Sequence, residues 1–353
     1  MAVQTLSAAE AIARQPAFGA VVDARSPGEY AEDHLPGAVN WPVLDDDERR
    51  LVGTDYRQVS AFEAQKRGAA LVARNIAAHI ERHVMAQPKG WQPLVYCARG
   101  GKRSASMARF LDQMGFRTHV VVGGYKAFRA VVRDELDSQP QRLAFVVLCG
   151  RTGSGKTRLL HVLAAAGAQV LDHEGLARHR GSVLGLAPGD VQPSQKAFET
   201  ALWHALRGYE PALPVFVESE SRRIGQLRVP EALIARMRKH GQCLRIEMPD
   251  AGRVALLLGD YDFFVRDPAF FCRQLDALVP LRGREAVAGW QAAAQAGRFG
   301  EVFLDLMHRH YDPGYDKSIR ANFVGYEAAP VVALADDSPA SLAAAAQGLL
   351  AGR

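Results

Sequence analysis

A continuous apolar run, Leu143-Ala144-Phe145-Val146-Val147-Leu148-Cys149, passes directly into Gly150-Arg151-Thr152-Gly153-Ser154-Gly155-Lys156-Thr157, and a helix-forming stretch from Arg158 to Ala166 follows. An unbroken apolar strand is covered on both faces, as in a parallel sheet flanked by helices. The glycines let the backbone curl, so that successive N–H groups point into one concavity at a helix start, where an anion is favoured. The spacing G-x-x-x-x-G-K-T therefore predicts a phosphate site. The backbone of Gly150, Thr152, Gly153, Ser154 and Gly155 cradles the phosphate, Lys156 neutralises it, and Thr157 is placed to hold Mg²⁺.

That loop sits in the middle of a chain of 353 residues, too long for one typical domain, so two are expected. Apolar content of 48% and charged content of 23% are those of an ordinary globular protein. No apolar run reaches the ~20 residues of a membrane span, and the first ten residues lack the basic-then-apolar pattern of a secretory signal. The four cysteines (97, 149, 243 and 272) form no Cys-x-x-Cys pair. This argues against a disulfide framework or zinc site and for a reducing, cytoplasmic setting. A net charge of +5 permits a polyanionic partner without requiring one.

Ahead of the phosphate loop, strand and helix signals alternate. Strands are expected at 20–23, 38–41, 93–95 and 119–122, with helices at 7–14, about 60–85, 104–114 and 125–136. This is an α/β domain with a parallel sheet. Its central feature is Tyr96-Cys97-Ala98-Arg99-Gly100-Gly101-Lys102-Arg103-Ser104, again between a strand and a helix. Adjacent glycines permit a tight curl, and Arg99, Lys102 and Arg103 surround one thiol with positive charge. Such surroundings favour a thiolate, the form that attacks electrophilic sulfur, selenium or phosphorus. Cys97 is the candidate nucleophile, with Arg99, Gly100, Gly101 and Arg103 around its anionic partner.

Val22-Asp23-Ala24-Arg25-Ser26-Pro27-Gly28-Glu29-Tyr30, then His34-Leu35-Pro36-Gly37-Ala38-Val39-Asn40, the Cys97 loop and Gly123-Gly124-Tyr125 together resemble a rhodanese domain, over about residues 5–137. Rhodanese domains carry a chalcogen on the loop cysteine. The spacing Cys97-x5-Arg103 is one residue longer than the usual sulfurtransferase loop. It matches the Cys-x5-Arg of cysteine phosphatases and arsenate reductases, so a phosphatase-like enzyme with a regulatory P-loop ATPase domain is the rival reading. Tyr96 stands where those phosphatases typically have His.

The polar, proline-containing stretch 137–142 marks the boundary, giving domains 1–137 and 138–353. In the second, Glu218 ends the apolar run Pro214–Val217 at the position where a metal-holding Asp is usual, and Arg222 and Arg223 follow as candidate anion binders. Ser194 reads as an N-cap of the next helix. The last third is helical, with expected segments at 268–279, 284–296 and 299–310. The aromatics Phe263, Phe264, Phe270 and Phe271 are read as core. His308 and His310, two apart, fall on different faces of a helix, and no metal site is assigned.

A rhodanese domain followed by a P-loop domain resembles the tRNA 2-selenouridine synthase family. The likeness is carried by the two loops, by Glu174-Gly175-Leu176-Ala177-x-His179-Arg180-Gly181-Ser182, and by Gln192-Pro193-Ser194-Gln195-Lys196-x-Phe198-Glu199. Glu218-Ser219-Glu220-Ser221-Arg222-x-Ile224-Gly225 and His310-Tyr311-Asp312-Pro313-x-Tyr315 complete it. Where that family generally has Trp after the catalytic cysteine, this chain has Ala98, and His173 replaces an apolar residue. The resemblance implies replacement of the 2-thio sulfur of wobble uridine U34 by selenium from selenophosphate, through an S-geranyl intermediate made from geranyl diphosphate. It implies no tightly bound cofactor, with Mg²⁺ as a candidate ion. The implied partners are a tRNA anticodon stem-loop and an enzyme that supplies selenophosphate, with no membrane. Glu218, Arg222, Arg223, His179 and Arg180 are the further candidate site residues of the P-loop domain.

Overall fold

The computed structural model describes residues 2–180 and 191–351; Gly181 and Ser182 of the family-like motif lie outside them. The chain forms two compact units, Met1–Glu135 with Ser194–His204, and Leu136–Pro193 with Ala205–Arg353.

In the first unit, β1 (Gln4–Leu6), β2 (Ala20–Asp23), β3 (Ala38–Asn40), β4 (Pro93–Tyr96) and β5 (His119–Val121) form one parallel sheet in the order β1-β5-β4-β2-β3. Every residue of the central strand β4 is buried. Val22, Val95, Ile76, Met107 and Leu111 pack on the same core. Cys97 thus leaves the sheet at the carboxyl end of its middle strand, where α/β sheets present their sites.

Between β3 and β4 lie two helices, Asp46–Gln58 and Ala61–His79, of which only the second was expected. The first begins with a reciprocal cap: Asp45 accepts the Glu48 N–H at 2.7 Å and Glu48 accepts the Asp45 N–H at 3.1 Å. Its Leu51 and Tyr56 are 44% and 63% exposed, so no buried apolar stripe announces it. Polar contacts to its neighbour hold it instead, Asp55 to Arg67 at 2.9 Å and Glu48 to Asn75 at 2.6 Å.

The segment 194–204, expected in the second domain, is part of the first unit. Ser194 caps the helix Gln195–Arg207 by accepting the Ala197 N–H at 3.0 Å. Thr200 donates to Asp33 at 3.0 Å and accepts from Arg129 at 2.8 Å, while Arg129 also pairs with Glu199. Trp203 donates to Glu135 at 2.9 Å and meets Phe128 edge-on, ring centres 5.3 Å apart, both side chains being fully enclosed.

In the second unit, β6 (Phe145–Cys149), β7 (Gln169–Leu171), β8 (Val215–Glu218), β11 (Gln242–Glu247) and β12 (Val331–Ala333) form a second parallel sheet, ordered β12-β11-β6-β8-β7. A short antiparallel ribbon, β9 (Arg223–Ile224) with β10 (Leu227–Arg228), stands apart. The apolar run at 143–149 supplies β6, buried throughout, at the centre. The helical portion includes Pro268–Leu275, Arg284–Gln295, Phe299–Leu306 and Asp312–Asn322. Phe264, Phe271, Trp290 and Phe303 form its core, with Phe263 and Phe270 against them. Among the described residues, no helix is long and apolar enough to cross a membrane.

Removing the Trp203 ring should leave a cavity under Phe128 costing about 3 kcal/mol. Trp203→Ala is therefore expected to speed hydrogen exchange of the β4 amides by about a hundredfold while β6 keeps its wild-type rate. Equal effects in both strands would contradict the assignment of this segment to the first unit.

Candidate active sites: a cysteine cleft and a phosphate loop

Cys97 is 3% exposed at the base of a cleft of about 480 Å³, lined by Glu29, Arg49, Ala98, Arg99, Lys102 and Arg103 besides the thiol and Gly101. Ser104, in the first turn of the helix Lys102–Gln113, places its Oγ 3.1 Å from Sγ and 3.2 Å from the Gly101 carbonyl. Sγ itself is 3.8 Å from that carbonyl.

The loop keeps its shape because a second turn backs it. The Tyr125 and Lys126 N–H groups donate to the Cys97 and Ala98 carbonyls at 2.8 and 3.0 Å. At Gly100, where φ is +66°, a Cβ would stand 2.9 Å from the Gly123 nitrogen and 3.0 Å from the Val121 oxygen. At Gly124 a side chain would collide with the Cys97 carbonyl itself. Gly123-Gly124-Tyr125 is therefore the seat on which the cysteine loop rests.

Behind the seat, Asp23 at the end of β2 is held by Arg25, with Nε at 3.0 Å and Nη2 at 2.6 Å, and accepts the Tyr96 hydroxyl at 2.7 Å. Tyr96 in turn accepts the Leu35 N–H at 3.2 Å. Burial first, and then the Asp23 charge, raises the Tyr96 pKa well above its ordinary value, so the phenol stays a neutral donor. The residue that departs from the phosphatase pattern thus serves to brace the sheet end.

Arg103 does not stand free. Its Nη1 and Nη2 lie 2.6 and 3.3 Å from the two oxygens of Glu29, which also meets Arg49 at 3.2 Å. Burial acts against the Glu29 charge, but Arg103 and Arg49 hold its pKa below the usual range. Sequence reasoning missed both Glu29 and Arg49 as site residues, because the helix that brings Arg49 was not foreseen. An anion entering the cleft competes with Glu29 for these guanidiniums. Glu29→Gln is expected to tighten phosphate binding by about fivefold, on the order of 1 kcal/mol for a part-exposed pair. The check is protection of Cys97 from iodoacetamide by phosphate.

The second site lies at the end of β6. Gly153 and Gly155 adopt φ of +76° and +84°, which side chains resist. Gly150, Thr152, Ser154 and Thr157 complete the loop into the helix Lys156–Ala165. Lys156 is folded onto its own loop, donating to the Gly150 and Arg151 carbonyls at 2.8 and 3.2 Å, with Nζ 5.2 Å from the Tyr315 ring centre. Burial disfavours its charge, yet Tyr315, Glu218, Glu174 and Glu220 together raise its pKa, and it remains an ammonium. The Ser154 hydroxyl and Glu218 Oε1 are buried without a partner among the described residues.

Thr152 to Thr157, Glu218 and Tyr315 share a cavity of about 730 Å³, with Gly150 outside its lining. Its wall also carries Leu256, Leu257, Tyr261, Ile319 and Phe323, so cationic loop and apolar surface face one space. Arg180 lines it, donating to the Asp260 carbonyl at 2.6 Å with its guanidinium 5.1 Å from the Tyr261 ring centre. His310 lines it too, accepting from Arg282 Nε at 3.1 Å. His179, whose pKa burial lowers, is not in the lining; its N–H donates to the Glu174 carbonyl at 3.1 Å. Arg222 and Arg223 also stand outside: Arg222 reaches Glu231 at 3.4 Å, and Arg223 is exposed in the β9 ribbon.

Glu218 was expected at the end of β8; Glu174 and Glu220 were not expected beside it. One carboxylate oxygen from each of the three lies within 4.8 Å of the others. Burial, and then the neighbouring carboxylates, pushes Glu174 up to about 10 and Glu220 up to about 7; burial raises Glu218 against the pull of Lys156. A carboxyl with a raised folded pKa binds more protons folded than unfolded, so stability falls as pH rises between the two values. The ion-free chain is expected to lose stability from about pH 4.5 to about 7 through Glu220. Glu220→Gln should flatten that slope in thermal melts; an unchanged slope would assign the loss elsewhere.

Residues 7–131 match the rhodanese-like domain family, and residues 143–276 match the family described as the tRNA 2-selenouridine synthase AAA domain. The chain is 35% identical over 336 residues to the tRNA 2-selenouridine synthase of Verminephrobacter eiseniae, covering 84% of this chain and 87% of that one. It belongs to the tRNA 2-selenouridine synthase family. Family members from Nitrosomonas europaea and Marinobacter nauticus are 36% and 38% identical, each over 68% of this chain. The chain spans 63% and 65% of the length of those two relatives. The family match takes in both glycine loops and the Glu174 and Glu218–Glu220 segments, whereas Asp312 and Tyr315 lie beyond its AAA portion.

Proposed function

We propose that this chain is an enzyme that replaces the 2-thio sulfur of wobble uridine U34 in tRNA with selenium from selenophosphate, through an S-geranyl intermediate made from geranyl diphosphate. The observation that carries this reading is the cavity at Lys156, which joins a phosphate-gripping loop to an apolar wall. A prenyl diphosphate has those two ends.

The chemistry needs two steps because a thiocarbonyl sulfur on a pyrimidine leaves poorly. In the first, the uridine sulfur bonds to C1 of the geranyl group as the C1–O bond breaks, and the electron pair departs with diphosphate. Amides of Gly153 and Gly155 and the Lys156 ammonium stabilise that leaving charge. In the second, the selenium of selenophosphate bonds to C2 of the uridine as the C2–S bond breaks and geranyl thiolate leaves, taking a proton. Water then cleaves the Se–P bond, releasing phosphate and leaving the 2-selenouridine. Cys97 positions the selenium, with Arg99, Gly100, Gly101 and Arg103 about the oxyanion of its donor. Oxygen-only donors suit a hard divalent cation, and Glu174, Glu218, Glu220 and Thr157 are the residues that would hold Mg²⁺, which would supply charge neutralisation at the diphosphate. The family relatives support tRNA as the polyanionic partner, and binding should weaken steeply with salt.

Nucleoside analysis of tRNA incubated with selenophosphate and geranyl diphosphate is the test. Cys97→Ala should accumulate S-geranyl-2-thiouridine and form no 2-selenouridine, while Lys156→Ala should lose geranylation by about a hundredfold or more. Loss of both activities in a folded Cys97→Ala chain would overturn the division of labour. Turnover of an aryl phosphate without tRNA would favour the cysteine-phosphatase chemistry instead.

A further inference from the structure

The phosphate loop is held from outside as well as by its own hydrogen bonds. The Thr152 carbonyl turns away from the loop and accepts two N–H groups of Arg253, Nε at 3.0 Å and Nη2 at 2.8 Å. In a planar trans peptide the carbonyl and the next N–H point in opposite directions. Drawing the Thr152 oxygen toward Arg253 therefore turns the Gly153 N–H the other way, and Gly153 lines the cavity.

Arg253 is only 2% exposed, and its remaining N–H groups are spoken for. Asp312, 6% exposed, takes Nη2 at 2.6 Å and Nη1 at 3.0 Å; Asp250 takes Nη1 at 3.1 Å. Asp312 opens the helix Asp312–Asn322, which touches the loop at two further places. Asp316 holds Arg151 through Nε at 3.1 Å and Nη2 at 2.6 Å. Tyr315 donates to the Ser219 carbonyl at 3.2 Å and lays its ring by the Lys156 ammonium. Glycine at 153 completes the fit, since a Cβ there would meet Leu257 at 3.1 Å and the Arg253 carbonyl at 3.2 Å.

We infer that Arg253, aligned by Asp312, is a positioning residue for phosphate binding, fixing the Thr152–Gly153 peptide so that its amide serves the anion. The guanidinium lies behind the peptide, where it polarises the amide without touching the ligand. The carboxylate that orients it comes from 59 residues further along the chain, so the far C-terminal part of the second unit governs affinity at a loop with which it shares no local sequence. This inference rests on the loop being a phosphate site, as proposed above.

The experiment titrates pyrophosphate into the full-length chain by calorimetry. Arg253→Ala should weaken binding at least tenfold, and millimolar guanidinium, but not methylammonium, should restore most of the loss by occupying the vacated space. Asp312→Asn, which keeps the side chain's volume, should weaken binding severalfold and serves where the alanine variant does not fold. Melting temperature and hydrogen exchange of the β6 amides report that each variant is folded. Wild-type affinity in a folded Arg253→Ala or Asp312→Asn chain overturns the positioning role alone. A loss that guanidinium does not reverse also overturns it and assigns the pair to fold stability. A wild-type chain with no pyrophosphate affinity overturns the phosphate site itself.

Discussion

Backbone amides that no ladder uses are what both sites are made from. Each sheet ends its central strand in a glycine-rich turn, and such a turn leaves several N–H groups pointing into one hollow. Left alone, a turn of this kind would flex, because glycine resists no conformation. Each is therefore fixed from behind by a different device. The cysteine loop leans on another stretch of backbone, with Tyr125 and Lys126 donating to the carbonyls of Cys97 and Ala98. The phosphate loop is drawn outward by a buried guanidinium at Thr152. In both, the carbonyl is engaged on the outside, which frees the amide face for an anion.

The two hollows differ in the charge around them. At Cys97 the cations Arg103 and Arg49 share one carboxylate, Glu29, which keeps them ordered while no anion is bound. At the phosphate loop the balance runs the other way, with three carboxylates crowding one lysine. Protons are one remedy for that crowding, and they leave the cluster sensitive to pH. A multivalent cation is the other, and the donors are those a hard ion prefers.

Much of this was legible in sequence because the informative signals were local. An apolar run leading into G-x-x-x-x-G-K-T fixed β6, its loop and its helix, and Pro93–Cys97 did the same for the middle of the first sheet. The cap at Ser194 and the aromatic core at Phe264 and Phe271 were also readable from short windows. The helix Asp46–Gln58 was missed because its Leu51 and Tyr56 face solvent, although Asp45 and Glu48 carried a capping pattern that would have revealed it. The strand Val331–Ala333 is only three residues long and is not enclosed. What no window reveals is convergence: Glu174 and Glu220 meet Glu218, Arg49 meets Glu29, and Asp312 reaches Arg253 only after the chain has folded.

The helix segment that joins the first unit has a consequence for synthesis. Asp33 and Thr200 are hydrogen-bonded across 167 positions of chain, and the intervening stretch includes the opening strands of the second sheet. On a ribosome emitting about 5–20 residues per second, the first sheet is assembled well before the residue that closes over Asp33 and Arg129 has emerged. Until then those two polar groups and Phe128 lack their cover from this helix. The nascent first unit thus waits, incompletely sealed, for a piece of chain encoded within its neighbour.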